Sequence, residues 1–135
     1  MTKSLIGLDV GDKRIGVAVA DTAIKIAVPY DTILVDGSEV EAIARVAVDQ
    51  SADIIVVGYP RNQSGEPTAQ TAVSEALAAR LTDIVPTIVF QDESLTSVMA
   101  ENRLQSRGKP YSKADIDAEA AAIILSDYLE QNYAT

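Results

Sequence analysis

The fold is decided by the stretch Gly7-Leu8-Asp9-Val10-Gly11-Asp12-Lys13-Arg14-Ile15-Gly16, a polar turn between two apolar runs. The runs, Ser4–Val10 and Ile15–Ala20, make this pattern typical of a β-hairpin. Asp9 interrupts the first run, where a charge is costly unless it is paired or bound to a metal. The flanking glycines leave room for another backbone or a phosphate to approach. With basic residues at the turn, the hairpin indicates a site for a metal ion and a phosphate.

The composition predicts one globular domain over residues 1–135, because 47% of the chain is hydrophobic and its length allows a real core. The chain contains neither cysteine nor histidine. This excludes disulfides, thiolate chemistry, histidine bases and almost every zinc site. Carboxylates, hydroxyls, lysine, arginine or a metal held by oxygen remain, and oxygen ligands favour Mg²⁺, Mn²⁺ or Ca²⁺.

The net charge of −9 argues against a general nucleic-acid binder, whose affinity comes from neutralising phosphates. The basic residues are nevertheless clustered, at the hairpin and in a segment that contains Arg103, Arg107, Lys109 and Lys113. A local basic surface on an otherwise acidic protein is therefore possible. No apolar stretch approaches the roughly 20 residues that span a bilayer, and no signal-peptide pattern opens the sequence. We therefore expect no membrane partner.

The periodicity predicts an α/β fold with a five-stranded mixed sheet, in which a three-strand meander is followed by βα units. The predicted strands are Ser4–Val10, Ile15–Ala20, Ile24–Val35, Ile54–Val57 and Thr87–Phe90. A capping box at Ser38–Glu41 opens a helix that ends near Gln50. Three further helices are predicted from Glu66-Pro67 to Leu81, from Leu95 to Arg107, and from a cap at Ser112 to Asn132. Helices should cover both faces of the sheet.

Acidic residues lie where such a fold binds ligands, beyond the carboxyl ends of the strands. Asp9 is near the end of the first strand, and Asp92 and Glu93 follow the strand that ends at Phe90. Asp117, which we place in the first turn of the last helix, shares the apolar, inward-facing stripe of that helix. Three carboxylates meeting at one edge would repel one another unless cations bridge them. Two divalent ions would also support attack of water on a phosphodiester.

Each carboxylate also has a simpler interpretation. Asp9 could be a turn residue satisfied by backbone N–H groups. Glu93 could favour the positive end of the third helix. Asp117 could be one of the acids that are common near helix starts, and the residues alone leave open whether Asp92 or Glu93 is the second ligand.

Four blocks of the chain resemble one known family, the YqgF-type, Holliday-junction-resolvase-like proteins, which include pre-16S rRNA nucleases. Residues 7–21 resemble its opening signature, and residues 56–65 resemble its "VVGLPLNMDG" loop. Asp92-Glu93-Ser94-Leu95-Thr96-Ser97 is similar to "DERLTT", and residues 116–125 are similar to the helix "VDSLAAVLIL". The blocks occur in order across nearly the whole chain.

The resemblance implies an RNase H-like fold and a metal-dependent nuclease that matures the 5′ end of 16S rRNA precursor in the bacterial cytoplasm. Its acidic positions, catalytic and metal-binding, correspond here to Asp9, Glu93 and Asp117, with two ions of Mg²⁺ or Mn²⁺. The expected substrate is structured RNA, with branched DNA as the alternative, and the molecule is expected to act as a monomer. The residues expected to contact nucleic acid are Lys13, Arg14, Arg61, Asn62, Arg103, Arg107, Lys109 and Lys113.

The chain departs from the family pattern at three positions. Ser94 replaces an arginine, Arg61 replaces an apolar residue, and Glu119 replaces an apolar residue beside Asp117. Two other functions are compatible with the sequence. One is a non-catalytic ribosome-assembly factor that binds RNA. The other is a nucleotide-binding domain, since Asp9-Val10-Gly11 with Gly16 also resembles a phosphate loop of the actin-like ATPases, although those need a second lobe.

Overall fold

A computed structural model describes residues 2–60, 68–93 and 96–133, and the side chains of residues 96 and 97 lie outside the description. The described strands are β1 (Ser4–Val10), β2 (Arg14–Asp21), β3 (Val28–Leu34), β4 (Ile54–Pro60) and β5 (Thr87–Glu93). The described helices are α1 (Glu39–Gln50), α2 (Ala69–Arg80), α3 (Thr96–Ser106) and α4 (Lys113–Tyr133). The predicted order of elements and the predicted mixed sheet are confirmed.

The sheet has the strand order β3-β2-β1-β4-β5. β1 and β2 pair antiparallel, as do β2 and β3, whereas β4 runs parallel to both β1 and β5. The register places Asp9 opposite Gly16 in the first hairpin. The carboxyl ends of β1, β4 and β5 therefore lie at one edge of the sheet.

Helices cover both faces, and the alternation of side chains along the strands divides the core in two. On one face, Ile6 and Leu8 of β1 pack with Ile43 of α1 and Leu77 of α2. On the other face, residues including Leu5 pack against α4. α4 contacts all five strands, and α3 packs on the outside of α4 through a small apolar cluster. Since α4 is covered on two sides, every residue from 118 to 125 is buried.

Glycines let α4 lie close to the sheet. A Cβ atom at Gly7 would stand 2.8 Å from Cβ of Leu125 and 3.0 Å from the carbonyl oxygen of Ala121. A Cβ atom at Gly16 would overlap the backbone carbonyl of Asp117. The close backbone approach expected at the glycine-flanked hairpin is thus confirmed, and α4 is the partner.

Some local predictions were wrong. Ser38 is the N-cap residue of α1, but its side chain makes no capping hydrogen bond. Its hydroxyl donates to Asp36, while the carboxylate of Glu39 accepts from the backbone N–H of Gly37. α2 begins at Ala69 after a capping box formed by Thr68 and Thr71, and the predicted start at Glu66-Pro67 lies outside the described residues.

Candidate active site

Three elements that are far apart along the chain each supply one carboxylate. Asp9 is the penultimate residue of β1, Glu93 is the last residue of β5, and Asp117 is the fifth residue of α4. Asp117 therefore begins the second turn of its helix, not the first turn as predicted. Asp9 and Glu93 lie within their strands, so the pleat fixes which face each side chain occupies.

The side chains of Glu93 and Asp92 lie on opposite faces of the sheet. Gly58 on β4 lies under α4, because a Cβ atom there would stand 2.7 Å from Cδ1 of Ile124 and 2.5 Å from Oε2 of Glu93. Glu93 therefore lies on the α4 face, as does Asp9, which shares its side of β1 with Gly7. Asp92, as the preceding residue, is on the opposite face and is exposed. Geometry thus makes the choice that the residues alone left open.

The three carboxylates interact electrostatically. Burial, together with the negative charge of Asp117, raises the pKa of Asp9 to about 6. Burial, together with the negative charge of Asp9, raises the pKa of Glu93 to about 8. Asp9 therefore interacts electrostatically with both of the other carboxylates. Full ionisation of the cluster at neutral pH is unfavourable unless a cation compensates the charge.

One carboxylate oxygen of Glu93 indicates that a further group binds at this site. Its Oε2 atom is buried and has no hydrogen-bond partner among the described residues. A buried acceptor left without a partner costs free energy, and such groups are rare unless a ligand or an ion satisfies them. Carboxylate oxygens are the ligands that Mg²⁺ and Mn²⁺ prefer, so the chemistry of the donor set fits a divalent ion.

Asp117 already has a cationic partner. Nε of Arg14 donates a hydrogen bond to Oδ2 of Asp117 over 2.6 Å. Within residues 2–60, 68–93 and 96–133, no three acidic side chains are arranged so that they could hold an ion. Arg14, expected from the sequence to bind phosphate, is thus engaged at the acidic cluster itself.

The basic segment forms ion pairs of its own. Nη1 of Arg103 lies 3.2 Å from Oε2 of Glu119, and Nη1 of Arg107 lies 2.8 Å from Oε1, in the latter case without hydrogen-bond geometry. Glu119 is only 2% exposed, so this departure from the family pattern is neither a surface residue nor free of partners. Both arginine side chains remain about half exposed, and their contact with nucleic acid stays a prediction.

The other expected nucleic-acid contacts divide into two groups. Lys13, Lys109 and Lys113 are exposed, and their role also remains a prediction. Arg61 and Asn62 lie outside the described residues, as does Ser94. The described part of the chain contains no helix long and apolar enough to cross a membrane.

Sequence reasoning missed Gly58 and the burial of Glu119. Gly58 ends an apolar run directly before the Tyr-Pro dipeptide, and a glycine in a strand often marks the close approach of another group. Glu119 lies three residues after Ile116 and four before Ile123, two residues of the cluster that packs against α3. That spacing was a usable signal for burial.

The strand order of the sheet and the long helix that carries an acidic residue to the strand ends are features of the RNase H-like fold. Resolvases have this fold. RuvC of T. thermophilus, solved in complex with a Holliday junction substrate, superposes with a TM-score of 0.54 at 17% identity, covering 95% of this chain and 94% of that one. The Fowlpox virus resolvase, solved with Holliday junction DNA, gives a TM-score of 0.58 at 11% identity, covering 95% and 97%.

The chain belongs to the RuvX family, which is described as Holliday junction resolvase and matches residues 3–131. A relative from Chloroflexus aggregans, named "Putative pre-16S rRNA nuclease", is 40% identical over 134 residues, which is 95% of this chain and 94% of the relative. A relative of the same name from Chlorobaculum tepidum is 35% identical and covers 96% and 95%. The predicted family and fold are confirmed.

Proposed function

We propose that residues 1–135 form, as one domain, a metal-dependent nuclease that hydrolyses phosphodiester bonds in structured RNA during maturation of the 5′ end of 16S rRNA precursor. The proposal includes action in the cytoplasm as a monomer. One observation carries it: Asp9 couples electrostatically to both Glu93 and Asp117, although the three come from β1, β5 and α4. The names of the relatives supply the substrate.

Asp9, Glu93 and Asp117 are the residues that would hold Mg²⁺ or Mn²⁺. Divalent ions bound there supply Lewis-acid activation of the phosphodiester and of the attacking water. Asp9 interacts electrostatically with both other carboxylates. Burial and the charge of Asp9 raise the pKa of Glu93 to about 8, so bound positive charge would favour its ionised form. The half-exposed Arg14 adds a guanidinium that can orient a phosphate at the same edge.

The chain has few means of reading single strands by stacking, since it contains five tyrosines, one phenylalanine and no tryptophan. Recognition of RNA by shape and backbone fits this composition better. The basic residues at the hairpin and around the start of α4 are the candidates for backbone contacts.

The proposal is tested by cleavage of an RNA that carries the 5′ precursor segment of 16S rRNA, with Mn²⁺ or Mg²⁺. Asp9→Asn keeps the size of the side chain and removes its charge, so we expect cleavage to fall by at least about 100-fold. Asp92→Asn is the matched control, because Asp92 lies on the other face of the sheet, and it should cleave at the wild-type rate. Equal cleavage by wild type and Asp9→Asn would remove the mechanism.

A second candidate substrate is a four-way DNA junction, since T. thermophilus RuvC and the Fowlpox virus resolvase were each solved in complex with a Holliday junction. The same proteins should be assayed on a synthetic junction under identical conditions. Faster, Asp9-dependent cleavage of the junction than of the RNA would make this chain a DNA resolvase. Mn²⁺ binding without cleavage of either substrate would favour the non-catalytic assembly factor.

A further inference from the structure

We propose that Arg14 is a built-in cation of the carboxylate site that competes with the divalent ion for Asp117. The inference rests on the proposed function, because it concerns the ligands that would hold the ion. It makes Arg14 a positioning residue that controls when Asp117 becomes available, in addition to the phosphate contact expected from the sequence.

The contact between the two residues is strong enough to matter. Nε of Arg14 lies 2.6 Å from Oδ2 of Asp117, slightly shorter than the roughly 2.7–2.9 Å usual for a charge-assisted N–H···O hydrogen bond. The two side chains are 32% and 23% exposed, so solvent screens the attraction less than at an open surface. The bond ties the first residue of β2 to α4, and the backbone of the same helix residue, Asp117, is the part that Gly16 lets approach β2.

The other two carboxylates of the cluster, Asp9 and Glu93, show why the pairing of Arg14 with Asp117 matters. Among the described residues, Oε2 of Glu93 is buried without a hydrogen-bond partner, and Asp9 interacts electrostatically with both Asp117 and Glu93. No three acidic side chains in the described part of the chain are arranged to hold an ion, and Oδ2 of Asp117 is bonded to Arg14. In the proposed competition, Asp117 exchanges Arg14 for the ion when the three carboxylates act together.

The geometry also shows how the exchange would be driven. Arg14 bonds Asp117 through Nε, and the edge of a guanidinium between its two terminal nitrogens is a separate fork that can bind a phosphate in bidentate fashion. A phosphodiester held on this fork would weaken the hold of Arg14 on Asp117. By linkage, metal and phosphate would then strengthen each other's binding.

The test is calorimetric titration of the full chain with Mn²⁺ alone, without nucleic acid. Arg14→Gln removes the competing charge and should bind Mn²⁺ about tenfold more tightly than wild type. Arg14→Lys retains a cation and should stay within about twofold of wild type. Lys13→Gln makes the same change in net charge one residue away, on an exposed side chain, and should change the affinity by less than about threefold.

Several results would overturn the inference. Unchanged or weaker Mn²⁺ binding by Arg14→Gln would mean that Arg14 supports Asp117 as a ligand and does not compete with the ion. An equal gain in Mn²⁺ affinity by Lys13→Gln would mean that the change in net charge, and not the contact between Arg14 and Asp117, causes the effect. If wild type and Arg14→Gln both bind no Mn²⁺, the metal-dependent function fails together with the inference, whereas binding by wild type with no gain in the variant removes the inference alone.

Unfolding in urea shows whether each variant remains folded. Arg14→Met retains the aliphatic stem of the arginine and replaces Arg14→Gln in the comparison if the glutamine variant does not fold. We expect Arg14→Met to bind Mn²⁺ about tenfold more tightly than wild type as well, and the same results would overturn the inference.

Discussion

Gly58 leaves the space that the carboxylate of Glu93 occupies: a Cβ atom at position 58 would lie 2.5 Å from Oε2 of Glu93. The two residues are on adjacent parallel strands, with Pro60 opposite Glu93 in the register. The side chain of Glu93 therefore leans back along β4 toward Gly58, beneath α4. A backbone position without a side chain thus shapes one wall of the candidate site.

Gly58→Ala should impair catalysis more than folding. The atoms that the new methyl group would meet, Oε2 of Glu93 and Cδ1 of Ile124, are ends of flexible side chains that can move aside. We expect a loss of about 1–2 kcal/mol in the free energy of unfolding, but a fall of about 100-fold in RNA cleavage, because Glu93 is displaced. Urea unfolding and cleavage assays measure the two effects, and cleavage at the wild-type rate would show that the position of Glu93 is unimportant.

Gly16→Ala should impair folding itself. Its new methyl group would overlap the backbone carbonyl of Asp117, which cannot rotate away, so α4 would have to move off the sheet. We expect about 3 kcal/mol or more of destabilisation, clearly above that of Gly58→Ala, which is the matched glycine control. Equal urea midpoints for the two variants would mean that α4 is not held this closely to β2.

The metal-free protein should become less stable as the pH rises from 5 to 8. Asp9 and Glu93 have raised pKa values of about 6 and about 8, so the folded state binds more protons than the unfolded state in this range. Stability therefore falls with pH through this window, and one pKa unit corresponds to about 1.4 kcal/mol. We expect a loss of roughly 2–5 kcal/mol, measured by urea unfolding in EDTA at the two pH values.

Removing the two groups should remove this pH dependence. The double variant Asp9→Asn, Glu93→Gln should unfold at similar urea concentrations at pH 5 and pH 8. The lowered pKa of Glu39, caused by backbone hydrogen bonds, acts in the opposite sense and below this window, so it does not interfere. A slope in the double variant equal to that of wild type would assign the effect to other groups.

The buried carboxylate of Glu119 should lower the free energy of unfolding only when it loses its partners, Arg103 and Arg107. Replacing Arg103 and Arg107 together by methionine leaves a buried charge without compensation, for which about 3 kcal/mol of destabilisation is expected. Adding Glu119→Leu removes that charge and should restore most of the lost stability. Urea unfolding of the double and triple variants measures the recovery, and a triple variant as unstable as the double would show that the ion pairs are not what matters there.

Local sequence signals predicted much of the fold. The bounds of β1 were predicted to the residue, because a glycine and a polar turn end an apolar run. β4 and β5 were predicted to end at Val57 and Phe90 but continue to Pro60 and Glu93, since strand pairing extends into residues whose own composition favours a loop. β3 begins at Val28, four residues later than predicted, after a backbone turn at Lys25 with positive φ.

The arrangement of the site was only partly predictable. Asp9, Glu93 and Asp117 were identified from their positions at element ends and from the family resemblance. The pairing of Arg14 with Asp117 joins residues 103 positions apart, and no local pattern carries that information. The cap of α1 was wrong for a related reason, since Asp36 competes for the Ser38 hydroxyl that the capping-box pattern assigns to the helix.

Because α4 lies across all five strands and carries Asp117, the acidic cluster can form only after β1, β5 and α4 have all been synthesised. A nascent chain that has released only β1 to β5 from the ribosome has Asp9 and Glu93 but lacks the third carboxylate. If the proposed function holds, hydrolytic capacity would arise only once α4 has packed on the sheet, so copies truncated before α4 would be inactive.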